Sequence, residues 1–160
     1  MTIQVGDRLP QATFRVMTPE GPAPKTTDDV FKGRKVVLVA VPGAFTPTCH
    51  RTHLPGFIQN AEAIRAKGVD AIAFTSVNDV WVMEAWGKAA GADGIELLAD
   101  GNGEFVNAIG LTMDGTGAGF GTRSKRYAMV VDDGVVTSLV VEDSPGKADV
   151  TGAENVMKSL

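Results

Sequence analysis

Lys35-Val36-Val37-Leu38-Val39-Ala40-Val41-Pro42-Gly43 is the stretch on which the fold turns. A β-branched run that is apolar at odd and even positions alike reads as a strand covered on both faces, the pattern of a central strand in an α/β sheet. Pro42-Gly43 stops it. In Thr46-Pro47-Thr48-Cys49, Thr46 has the chemistry of a helix N-cap and Pro47 suits the first helical position, which places Cys49 in the first turn. Pro55-Gly56 predicts a kink or restart, after which Phe57, Ala61 and Ile64 recur at helical spacing until Lys67-Gly68 closes the helix.

Outward from this unit the pattern repeats. Residues 69–77 alternate into a second strand, and Asn78 or Asp79 caps a helix carrying Val82, Met83 and Trp86 that ends near Gly91. A third strand is expected over 95–99 and a short helix over 104–109. The glycine-rich residues 114–122 read as a mobile loop. Residues 126–131 and 135–141 flank Asp132-Asp133-Gly134 and predict a hairpin, since Asp-Gly suits a tight turn with positive φ. A last helix is expected over 152–160, and Ser144-Pro145-Gly146-Lys147 as a turn. Helices would thus cover both faces of a mixed sheet in one domain spanning residues 1–160, with residues 1–35 as an N-terminal elaboration of strand and turn.

Composition narrows the function classes. The chain has 160 residues, 44% hydrophobic and 21% charged, enough for a core that needs no disulfide or metal staple. With 15 basic against 19 acidic residues the net charge is −4, which argues against nucleic acid as the main partner. No apolar run approaches the roughly 20 residues that a helix needs to cross a bilayer, and no secretory signal is visible. A single cysteine excludes an internal disulfide and fits a reducing, cytoplasmic compartment.

A lone cysteine is ordinarily a small buried hydrophobe. Here it stands where the unpaired N–H groups and positive dipole end of a helix favour an anion, at the carboxyl end of a central strand, where open α/β sheets place their ligands. A nucleophilic thiolate is therefore expected. His50 should face elsewhere. His53, four residues on, could touch the sulfur as in a cysteine hydrolase or a zinc half-site. Neither reading has an oxyanion hole or further ligands behind it, so a polar core residue or helix cap is preferred. A thiolate also needs a cation. Arg51, Arg65, Arg123 and Arg126 all qualify; Arg51 should face solvent, and Arg126 stands out because it opens an apolar strand, although a salt-bridged strand end explains it equally well. The glycines at 115, 117, 119 and 121 match no nucleotide loop. Trp81 and Trp86 are assigned to packing.

Residues 42–49, Pro-Gly-Ala-Phe-Thr-Pro-Thr-Cys, followed by His53-Leu54-Pro55-Gly56-Phe57, resemble the active-site segment of the type II peroxiredoxins. Ser76-Val77-Asn78-Asp79, Leu97-Leu98-Ala99-Asp100 and Arg126-Tyr127 with Val130-Val131-Asp132-Asp133-Gly134 extend the match over nearly the whole chain. The resemblance implies a thioredoxin-like fold and a peroxidase of hydrogen peroxide and organic hydroperoxides without metal or other cofactor. It makes Cys49 the peroxidatic cysteine, oxidised to a sulfenic acid. Thr46 would hydrogen-bond sulfur and peroxide, Pro42 would shield the site, and Arg126 would hold the thiolate. Gly43 and the main-chain N–H groups of Thr48 and Cys49 would meet the substrate. Several relatives carry a second, resolving cysteine that this chain lacks, so an external thiol is implied: glutathione with glutaredoxin, or thioredoxin. His50 stands where many relatives have serine. The family further implies a homodimer. The alternatives are a peroxide-sensing or chaperone-like redox protein.

Overall fold

A computed structural model describes residues 2–160. The predicted central strand is β3 (Lys35–Ala40), with Val36 to Ala40 buried on both faces. It lies parallel to β4 (Ala71–Ser76), which lies parallel to β5 (Glu96–Ala99). Helices α2 (Leu54–Ala66) and α3 (Val80–Ala90) make the crossovers. Helix α4 (Glu104–Ile109) follows β5 with the bounds the sequence predicts.

Hairpins complete the sheet on either side. β1 (Thr13–Thr18) and β2 (Gly21–Thr26) extend the β5 edge antiparallel, and β8 (Tyr127–Asp132) and β9 (Val135–Val141) extend the β3 edge. The seven-stranded order is β2-β1-β5-β4-β3-β8-β9. Asp133 and Gly134 both have positive φ, 49° and 81°, as the Asp-Gly turn required. The N-terminal elaboration holds a helix that the sequence reading missed. This is α1 (Thr27–Phe31), where the Thr26 hydroxyl accepts from Asp29 N–H while the Asp29 carboxylate accepts from Thr26 N–H.

One face of the sheet packs Val37, Val39 and Val41 against α2, α3 and the C-terminal α5 (Ala153–Met157); the other packs Val36, Leu38 and Ala40 against Phe31, Phe105 and Ile109. The architecture is a thioredoxin-like α/β fold with a mixed sheet and helices on both faces. Two expectations need correction. Residues 114–122 do not form a plain loop: β6 (Thr112–Asp114) and β7 (Thr122–Ser124) pair antiparallel around a single 3₁₀ turn. Trp81 does not pack in the core. It is 63% exposed, because α3 turns Val80, Met83 and Trp86 inward and leaves Trp81 on the opposite side.

Candidate active site

The chain leaves β3 at Val41 and turns through residues 42–46. Asn78 holds this turn: its Oδ1 accepts from Ala44 N–H at 2.9 Å and from the Ser76 hydroxyl at 2.6 Å. Asp79 is the cap of α3 instead, accepting from Val82 N–H. Phe45 adopts φ 65°, a left-handed backbone that costs a non-glycine residue roughly 1–2 kcal/mol.

The helix begins at Pro47, and His50 N–H closes the first turn on the Thr46 carbonyl at 2.9 Å. Thr46 is therefore the N-cap, but its hydroxyl does not cap. It lies 2.7 Å from the Gly43 carbonyl and 2.9 Å from Cys49 Sγ. A hydroxyl has one proton, so it donates to the Gly43 carbonyl or to the sulfur, one at a time. The N–H groups of Thr48 and Cys49 fall among those that a helix start leaves without an intrahelical partner.

From Cys49 to His53 the turn widens into a π-helix, with Leu54 N–H donating to the Cys49 carbonyl. Pro55 has no N–H to continue an α-ladder, and its ring crowds the carbonyl four residues back; the chain accommodates this one residue early, ahead of the kink that the sequence suggests.

Arg126 reaches this turn through sheet register. Ala40 pairs with Tyr127, so Arg126 emerges beside Val41, at the end of β3 from which the cysteine loop departs. It is 2% exposed. Nη2 donates to Cys49 Sγ at 2.9 Å and to the Pro145 carbonyl at 3.0 Å, Nε donates to the same carbonyl at 3.2 Å, and Nη1 donates to His53 Nδ1 at 2.7 Å. Four of its five N–H donors are thus engaged. The guanidinium sets a fixed positive charge against a sulfur with no exposed surface.

His53 is the polar core residue expected, and it does not bond the sulfur. Because Nδ1 accepts from Arg126, Nε2 carries the proton and donates to the Thr151 carbonyl at 2.9 Å. Burial first, and the neighbouring guanidinium after it, push the imidazole down to about 4, so it is neutral near pH 7. Thr151 is in turn held by Glu142, whose Oε2 accepts from the Thr151 N–H and hydroxyl, both at 2.8 Å.

The structure brings Cys49, Thr46 and Arg126 together as expected. Thr48 donates its hydroxyl to the Gly146 carbonyl, and Pro42 and Thr48 line the cavity at the site. Gly43 is not among the residues lining it. Its carbonyl orients the Thr46 hydroxyl, and a Cβ there would stand 3.0 Å from Arg123 Nη1 and 3.1 Å from Thr46 Cγ2. Arg51 is exposed and Arg65 binds the Gly94 carbonyl. Arg123 bonds the Pro42 and Phe120 carbonyls and lies 5.2 Å from the centre of the Phe120 ring, bracing the cavity wall. Sequence reasoning missed the Pro145 carbonyl and Glu142, and it weighed Arg123 only as a cation for the sulfur, not as a support of the cavity wall. The first acts through its main chain, which no residue pattern announces.

The cavity at the site holds about 430 Å³ and is chiefly apolar, walled by Pro42, Pro47, Met113, Phe120 and Pro145, with Arg126 also in its lining. Among the described residues no cluster of three or more His, Cys, Asp or Glu side chains could hold a metal, and no helix is long and apolar enough to cross a membrane.

Residues 4–157 match the Redoxin family model. The chain is 48% identical to chloroplastic peroxiredoxin-2E-2 of Oryza sativa subsp. japonica, over 99% of this chain and 73% of that protein. It is 43% identical to peroxiredoxin-2B of Arabidopsis thaliana, over 99% and 98%. Reduced Prx3 of Vibrio vulnificus in complex with hydrogen peroxide superposes with a TM-score of 0.95 at 50% identity, over 99% of each chain.

Proposed function

Because the chain belongs to the redoxin family, with the type II peroxiredoxins as its relatives, we propose that its thiol peroxidase chemistry runs at Cys49 and is completed by glutathione with glutaredoxin. The observation that carries the second half is the count of one cysteine in the chain. A sulfenic acid on Cys49 has no partner thiol within its own protomer.

In the first step the Cys49 thiolate attacks the distal oxygen of the hydroperoxide. The S–O bond forms as the O–O bond breaks; sulfur is oxidised, and the alkoxide or hydroxide that leaves takes a proton to become alcohol or water. Arg126 donates to the sulfur, and its fifth N–H is free for the oxygen on which charge develops. The N–H groups of Thr48 and Cys49 receive the same oxygens. Thr46 offers the hydroperoxide a lone pair while its hydroxyl donates to the Gly43 carbonyl. Pro42 keeps bulk water from the thiolate. Glutathione then displaces hydroxide from sulfur, giving a mixed disulfide and water, and a second thiol releases Cys49 and glutathione disulfide.

Steady-state assays with glutathione alone, with glutathione plus glutaredoxin, and with thioredoxin test the reductant. Turnover is expected to be highest with the glutaredoxin pair; a thioredoxin rate above it overturns the assignment. The cavity far exceeds what hydrogen peroxide fills, and its walls favour organic hydroperoxides as further substrates. Phe120→Ala is expected to lower kcat/KM for cumene hydroperoxide by about tenfold, and that for hydrogen peroxide by less than twofold. Equal losses would remove Phe120 from substrate selection.

Phe45 and Phe120 flank the site and are 46% and 38% exposed, which supports a homodimer closing over these loops, to be tested by sedimentation. A cytoplasmic location is the reading kept for the chain. Fractionation checks it, since the Oryza relative is chloroplastic by name.

A further inference from the structure

Cys49 has no exposed surface, and the two side chains bonded to its sulfur, Thr46 and Arg126, both line the cavity, so peroxide comes to the sulfur from their side. A peroxide oxygen delivered along that path leaves its S–O bond pointing back into the cavity. A thiol that displaces this oxygen must enter in line from the opposite side, and Cys49 is a fully buried member of the core cluster that includes Val41 and Leu54. Reduction therefore requires the turn 49–53 to swing away from the sheet, although oxidation does not.

Besides the bonds to the sulfur itself, four side-chain links hold Thr48 and this turn to the rest of the molecule. Thr48 donates to the Gly146 carbonyl, His53 bonds Arg126 and Thr151, and the fourth link lies away from the sulfur. There the buried Trp86 of α3 donates its Nε1–H to His50 Nδ1 at 3.1 Å. The exposed Phe45 ring, on its left-handed backbone, lies against the other side of His50 with centroids 5.5 Å apart. The His50 side chain hydrogen-bonds Trp86 and none of the side chains that face the sulfur. When the turn opens, Trp86 Nε1–H loses its acceptor inside the core, a loss that weights the equilibrium toward the closed form.

We propose that His50, latched by Trp86, is a positioning residue that sets how readily the oxidised Cys49 turn opens to its reducing thiol. The role rests on the external-thiol reading but not on which thiol is used. In balanced form the step governed is Cys49–S–OH + R–SH giving Cys49–S–S–R + H2O.

The test uses the full chain with Trp81→Phe, so that Trp86 is the sole tryptophan reporting by fluorescence. Single-turnover oxidation by hydrogen peroxide and reduction of the sulfenic acid by dithiothreitol are followed separately. His50→Leu, which fills the space without accepting a hydrogen bond, is expected to raise the reduction rate about tenfold while oxidation changes less than twofold. His50→Asn, whose Oδ1 can take the place of Nδ1, should restore the slow reduction and the native Trp86 emission. Unchanged reduction in His50→Leu, or equal changes in both steps, overturns the latch. So does a failure of His50→Asn to restore what His50→Leu loses. Should glutathione not support turnover while dithiothreitol still shows the His50 effect, the reductant assignment falls and the latch stands.

Discussion

Arg126→Met is expected to lower the second-order rate of Cys49 oxidation by hydrogen peroxide about 10²–10³-fold, the usual cost of removing one preorganised donor from a site where charge develops. Methionine has similar length, so the loss is of charge and direction. The guanidinium donates to sulfur and is fixed by two bonds to the Pro145 carbonyl, and in the proposed mechanism its fifth N–H is offered to the substrate. Arg126→Lys separates charge from direction. An ammonium restores the charge but cannot bridge sulfur, Pro145 and His53 in one plane, so it should recover only part of the rate. Cys49→Ser sets the baseline, with no thiol to titrate and no turnover. Stopped-flow Trp86 fluorescence reads the rates, and circular dichroism checks that each variant is folded. A folded Arg126→Met protein that oxidises at the wild-type rate would remove Arg126 from the chemistry.

How much of this was legible beforehand differs by residue, for physical reasons. Cys49 and Thr46 were readable because the N-cap and Pro47 fix a local frame within four residues, and local frames follow from dihedral preferences. From the residue pattern Arg126 could be narrowed only to one of four arginines, and the family resemblance alone singled it out. What brings it to the sulfur is the pairing of Ala40 with Tyr127, a contact between residues far apart in sequence. Tertiary register also explains the error at Trp81, since a helix with apolar residues on several sides does not declare which side meets the sheet. The Asp-Gly turn and α4 were read correctly because each carries its own start and stop. Thr26 and Asp29 carried such a signal for α1 too, but in a segment with little apolar periodicity to attract the eye. The supports behind the site are the least visible: Glu142 holds Thr151, Thr151 accepts from His53, and His53 accepts from Arg126, three links joined only by folding.

That chain of supports makes the fold sensitive to acid at a single residue. His53 is neutral in the native protein down to about pH 4, whereas in the unfolded chain it protonates near its ordinary value of 6.5. Between those values the unfolded state binds a proton that the native state refuses, so native stability is intact above pH 6.5 and falls as pH falls toward 4. The size of the shift corresponds to about 3 kcal/mol, nearly all of it lost by pH 4. The cause is structural. A proton on Nδ1 would abolish the acceptor for Arg126 and place a second cation against a guanidinium where both side chains are buried, with Glu142 the nearby charge that opposes this. His53→Gln cannot ionise, and its amide can still accept from Arg126 and donate to Thr151. Urea unfolding at a series of pH values from 7.5 to 4 should therefore show the variant losing about 3 kcal/mol less than wild type over that range, with carboxylate contributions common to both. Parallel stability profiles for the two proteins would mean that His53 is protonated in the native state, and that Arg126 is held by something other than its neutral imidazole.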